Sequence, residues 1–226
     1  MDDQQAVIAL SQQLKGETFD LLFVNAGVKG PDNQSPGGAT LAEVGQLFFT
    51  NAVAPINLAQ RFVGQIRDGS GVLAFMSSVL GSVTMPDAPE LALYKASKAA
   101  LNSMTNSFVS QLGEQSLTVL SLHPGWVKTD MGGEGADIDV ETSTRGLIDQ
   151  VDAFFRQGWA SFRQLPGRNN PLVTPLIPCG SELARDGGRS VDIDVGCEAA
   201  IASKLTPTKP SPNRNLSWAL EMCPAT

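Results

Sequence analysis

Tyr94 and Lys98 stand four residues apart in Tyr94-Lys95-Ala96-Ser97-Lys98, and Tyr94 is the only tyrosine in the chain. On a helix this spacing places the phenol and the ammonium on one face. A free phenol titrates near ~10 and is a poor base at neutral pH. A neighbouring ammonium favours the phenolate and draws that value down. The pair is a candidate acid/base unit for moving a proton on and off an alcohol oxygen. The same spacing also occurs on ordinary solvated helix faces, so its meaning depends on the elements that position it.

Those elements alternate over the first 157 residues. Residues 6–14 predict a helix closed near Gly16, and the apolar run Leu21-Leu22-Phe23-Val24 predicts a buried parallel strand ending in Asn25-Ala26-Gly27. Residues 28–39 are rich in Gly, Pro, Asn and Asp and read as a loop. Helical spacing then runs from Thr40 to about Ile66, with Thr40 as N-cap and Glu43 as its capping-box partner. Val72-Leu73-Ala74-Phe75-Met76 predicts a second strand, ending at Ser77-Ser78. A helix over 91–112 carries Tyr94 and Lys98; a strand over 117–122 ends at His123-Pro124-Gly125; a last helix covers 141–155. Alternating strands and helices predict an α/β fold with a parallel sheet covered on both faces. Sites in such sheets lie beyond the carboxyl ends of the strands, where the polar and turn residues of all three runs collect.

Composition narrows the function classes. The net charge of -7 argues against a nucleic-acid or anionic-membrane surface. The start, Met1-Asp2-Asp3-Gln4-Gln5, is neither a signal nor a transit peptide, and no run approaches the ~18 apolar residues of a membrane span. Cys179, Cys197 and Cys223 form no metal-like spacing, and a reduced, cytoplasmic protein is expected. Residues 1–157 hold 9 Lys+Arg against 17 Asp+Glu, whereas residues 158–226 hold 7 against 6 together with eight of the 14 prolines. That change marks a boundary. Residues 158–226 are expected to form an irregular, disordered or frame-altered tail, with strand-like alternation only at 190–195.

Over residues 1–157 the chain resembles the short-chain dehydrogenases/reductases. Asn25-Ala26-Gly27 after a strand, Asn51 within the next long helix, Ser78 in Met76-Ser77-Ser78-Val79-Leu80-Gly81, Tyr94 with Lys98, and Pro124-Gly125 with Thr129 occur in that family's order. The stretch from Leu122 to Gly133 is similar to small members of the carbonyl-reductase and C-factor type. The resemblance implies a Rossmann-like, doubly wound domain that moves a hydride between NAD or NADP and a small carbonyl or alcohol. It implies that Tyr94 exchanges the proton, that Lys98 lowers its pKa and binds the nicotinamide ribose, and that Ser78 holds the substrate oxygen. Asn51 would bend its helix and hold a water leading from Lys98. Asn25, Ala26 and Gly27 would wall the adenine pocket, Pro124 and Gly125 would face the nicotinamide, and Thr129 would meet its carboxamide. His123, which only precedes the Pro-Gly turn, is not expected to catalyse.

The chain departs from that pattern at its start. It opens about where the family has its third helix, so the first three strands, two helices and the Gly-rich phosphate turn are expected to be missing. Leu21–Val24 would then present an open edge. Two readings stay open: an NAD(P)-dependent oxidoreductase, or a catalytically incompetent remnant or association subunit that keeps half the fold. In either, the helices at 40–66 and 91–112 are expected to build a homo-oligomer interface.

Overall fold

The computed structural model describes residues 3–84, 88–113, 116–157 and 177–178. Its centre is a parallel sheet of β1 (Leu21–Val24), β2 (Val72–Met76), β3 (Thr118–His123) and β4 (Ile177–Pro178), in that spatial order. Leu21 pairs with Val72 and Val24 with Phe75; Val72 pairs with Thr118 and Met76 with Leu122; Leu122 pairs with Ile177. This register brings the carboxyl ends of β1, β2 and β3 to one edge of the sheet, as expected for a Rossmann-like fold.

The two-residue period of a strand sorts the core. Leu73, Phe75 and Val119 face one side and pack with Ile56, Ala59, Leu101 and Phe108 from α3 (Ala54–Phe62) and α4 (Ala92–Ser110). Val7 and Leu10 of α1 (Gln4–Gln13) close the same side. Val72, Ala74, Leu120 and Leu122 face the other side against Leu147, Val151 and Phe154 of α5 (Val140–Gln157). Burial on both faces explains why the strands read as unbroken apolar runs. A fully buried side chain such as Phe75 contributes roughly 1.5–3 kcal/mol.

Two expectations change. The helix over 40–66 is not continuous: α2 (Leu41–Phe48) passes into a π-helical turn over Phe49–Val53, then α3, then a 3₁₀ turn over Val63–Gln65. Ala54 N–H bonds the Phe49 carbonyl, five residues back, and Pro55 has no N–H for the Asn51 carbonyl four residues before it. A strand does follow α5, at Ile177–Pro178, where proline interruptions gave no strand pattern. The six-residue alternation at 190–195 lies outside the described residues. The capping box at Thr40 forms as read: Glu43 N–H donates to Thr40 Oγ1, and Thr40 N–H donates to Glu43 Oε2 at 2.8 Å. Among the described residues β1 ends the sheet order, and no helix is long and apolar enough to cross a membrane.

Candidate active site

Tyr94 is the third residue of α4, and Lys98 lies one turn on with its Nζ 5.8 Å from the centre of the Tyr94 ring. Lys98 is 3% exposed, and its ammonium donates to the Met76 carbonyl, at the end of β2, over 2.9 Å. Burial pushes its pKa down to about 8. Among the described residues no second acceptor is bonded to this three-donor group.

Tyr94 faces Ser78, which leaves β2 in extended conformation and caps a short 3₁₀ turn by accepting Leu80 N–H at 3.2 Å. Burial raises the phenol above its ordinary value, while the Ser78 hydrogen bond acts the other way. The net shift of the phenol is therefore upward, where the sequence reading expected a fall. Desolvation of the phenolate outweighs its stabilisation, and the ammonium beside it is itself poorly solvated. The Ser78 segment is pressed against α4. A Cβ on Gly81 would lie 2.9 Å from the Lys98 carbonyl carbon, and Ser77 Oγ donates to Asn102 Oδ1 at 2.6 Å.

Asn51 is fully buried in the π-helical turn. Its Oδ1 accepts Val28 N–H at 2.8 Å, and its Nδ2 donates to the Val28 carbonyl at 2.8 Å and to Ser97 Oγ at 2.9 Å. Ser97 in turn donates to the Tyr94 carbonyl at 2.7 Å. Gly27 leans over the same spot: a Cβ there would sit 3.2 Å from Lys98 Nζ and 3.4 Å from Asn51 Oδ1. The structure thus gathers Gly27, Asn51, Ser78, Tyr94 and Lys98 from four separate segments.

The remaining sequence candidates sit differently. Asn25 is exposed and Ala26 half-buried beyond β1. Gly125 has a positive φ of 86°, which suits glycine, and the Pro124 carbonyl accepts Ser143 Oγ at 2.7 Å, tying this turn to α5. Thr129 is exposed, and its hydroxyl is used inside its own loop, donating to the Val127 carbonyl and accepting Gly132 N–H. His123 is half-buried, its pKa lowered to about 4 by burial, with Nδ1 lacking a hydrogen-bond partner.

The family model described as short chain dehydrogenase matches residues 1–137. The chain belongs to the short-chain dehydrogenase family. Within this family it is 31% identical over 153 residues to the C-signal of Myxococcus xanthus, covering 67% of this chain and 92% of that protein. It is 35% identical to the hydroxynaphthalene reductase-like protein Arp2 of Metarhizium brunneum, covering 64% of this chain but 51% of that one. Among solved structures it is similar to a short-chain dehydrogenase/reductase from Burkholderia multivorans with bound NADP, with TM-score 0.67, 30% identity, 78% of this chain and 70% of that one. It is also similar to a carbonyl reductase from Pseudomonas aeruginosa PAO1 in complex with NADP, with TM-score 0.65, 34% identity and the same coverages. The Rossmann-like parallel sheet is thus the family's own. Sequence reasoning missed the short-chain dehydrogenase residues that bind the site to its surroundings: Gln34, Ser97, Asn102 and Ser143. Ser97 alone had a signal, lying three residues after Tyr94 on one helix face.

Proposed function

We propose that this chain is an oxidoreductase that transfers a hydride between NAD or NADP and a small carbonyl or alcohol, with Asn51, Ser78, Tyr94 and Lys98 as its centre. One observation carries the reading: a buried ammonium with a single acceptor among the described residues, beside a glycine with no side chain and a phenol that faces a serine. The free donors of Lys98 fit ribose hydroxyls, and the space a Cβ would fill at Gly27 fits a ring or sugar edge. The residues therefore suit the nicotinamide-ribose end of the cofactor. Tyr94 and Lys98 would hold it beside Gly27, with Pro124 and Gly125 facing the nicotinamide and Asn25 and Ala26 walling the adenine side. Thr129 would donate to the carboxamide oxygen only by releasing the Val127 carbonyl.

When bound, the nicotinamide supplies the hydride to a carbonyl carbon or takes it from an alcohol. Burial raises the phenol of Tyr94, so at neutral pH it carries the proton that a carbonyl oxygen would take on reduction. Ser78 holds the same oxygen through its hydroxyl. Lys98 stabilises the phenolate that Tyr94 becomes, and the Asn51 turn positions Lys98 and the water that restores the proton. Titration with NADPH and NADH, followed by cofactor fluorescence, tests the reading. Saturable binding supports it, and its absence at millimolar cofactor removes it.

The same reading includes a homo-oligomer through the helices at 40–66 and 91–112. Val53, Ile56, Met104 and Phe108 line a groove between α3 and α4 that a second copy would fill. A second function, association without turnover, rests on the same groove. Sedimentation showing a dimer without cofactor binding would select it.

A further inference from the structure

The loop after β1 reaches the start of α4 through one side chain. Gln34 is 5% exposed, and its three bonding partners lie on two segments. Its Oε1 accepts Tyr94 N–H at 2.9 Å. Its Nε2 donates to the Lys29 carbonyl at 3.1 Å and to the Pro31 carbonyl at 2.6 Å. The amide's orientation is fixed by its partners, because a backbone N–H only donates and a carbonyl only accepts.

The first N–H groups of a helix have no partner within it. Leu91, at the N-cap of α4, offers no side-chain cap. Gln34 caps Tyr94 instead, from 60 residues away in the chain. The other end of the same residue's backbone is also held: the Tyr94 carbonyl accepts Ser97 Oγ, Ser97 accepts Asn51 Nδ2, and Asn51 grips both the N–H and the carbonyl of Val28. A closed ring results, in which the segment from Val28 to Gln34 clamps the backbone of Tyr94 from both sides.

We propose that Gln34 is a positioning residue: a cap supplied in trans that fixes the backbone of Tyr94, so that its phenol stays on Ser78, and couples the loop at 28–34 to that placement. Its bearing on catalysis rests on the oxidoreductase reading above, but the placement itself is tested without turnover. Because the chain has one tyrosine, ¹⁵N-tyrosine labelling of the full chain gives one amide resonance, that of Tyr94. In the parent this amide should exchange slowly. Gln34→Met keeps the volume and removes the acceptor; it should speed exchange of that amide by roughly tenfold or more and shift the ultraviolet titration of the single phenol. Gln34→Glu keeps an acceptor for Tyr94 N–H but cannot donate to Lys29 and Pro31; it should restore most of the protection. If Q34M leaves both the amide exchange and the phenol titration at parental values, the proposal is overturned. Should Q34M not fold, the parent decides, because a Tyr94 amide exchanging as fast as an open peptide also overturns it. If the parent binds cofactor and turns over, Q34M should lower kcat roughly tenfold with little change in cofactor KM. A parent without turnover removes the oxidoreductase reading and leaves the amide to decide the role of Gln34.

Discussion

Lys98 Nζ donates to the Met76 carbonyl over 2.9 Å, so the cation of α4 is tied to the last residue of β2. Burial costs this ammonium part of its solvation and lowers its pKa to about 8.

That deficit appears in stability against pH. The folded pKa of Lys98 lies below the unfolded value of 10.5, so between about 8 and 10.5 the unfolded chain binds more protons. The penalty for burying the charge is full below about pH 8 and is relieved as pH rises through this window, by on the order of 3 kcal/mol. Urea unfolding of the parent should therefore show stability rising from pH 8 toward pH 10. Lys98→Met should remove that rise; an unchanged slope in K98M would assign it to other groups.

His123 acts on the acid side. Its folded pKa of about 4 lies below its ordinary 6.5, so stability falls as pH drops through that interval, again by on the order of 3 kcal/mol. In His123→Gln, thermal unfolding midpoints between pH 6.5 and 4 should depend less on pH than the parent's. The activity near neutral pH should stay within about threefold, since no proton transfer is assigned to this ring.

Asn51 is both a structural and a site residue, and the two roles separate by size. Asn51→Ala removes three hydrogen bonds and strands the Val28 amide, the Val28 carbonyl and Ser97. A loss of about 3 kcal/mol is expected in chemical denaturation. A loss under about 1 kcal/mol would mean that water replaces the side chain without penalty.

Gly27 is predicted to matter for binding rather than folding. A Cβ at 3.2 Å from Lys98 Nζ meets the end of a flexible side chain, so Gly27→Ala should change stability by less than about 1 kcal/mol. It narrows the space beside the ammonium and should weaken cofactor binding roughly tenfold by fluorescence titration. Parental affinity in G27A would place the cofactor elsewhere.

The strands and most of the helices were legible because each is written locally: apolar runs mark β1 to β3, and the four-residue spacing of Tyr94 and Lys98 falls on one helix. Gln34 was not legible, because an amide in a Gly- and Pro-rich loop carries no sign of a partner 60 residues on. A bend at Asn51 was implied by the family resemblance, but Pro55, whose ring removes the donor for the Asn51 carbonyl, was an unread sign of the break at Phe49–Val53. The direction of the Tyr94 shift depended on burial, which spacing on a helix does not encode. β4 is two residues long and ends in proline, too short for periodicity to reveal.

The central claim is that Tyr94 gives up its proton to the substrate oxygen. The most direct measurement compares NAD(P)H-dependent reduction of a small ketone or aldehyde by the parent and by Tyr94→Phe, with cofactor affinity measured on both. Y94F should lose on the order of 10³-fold in kcat, within the range for removing a general acid, while its cofactor affinity stays within about threefold. A Y94F chain that turns over at a rate close to the parent's would contradict it.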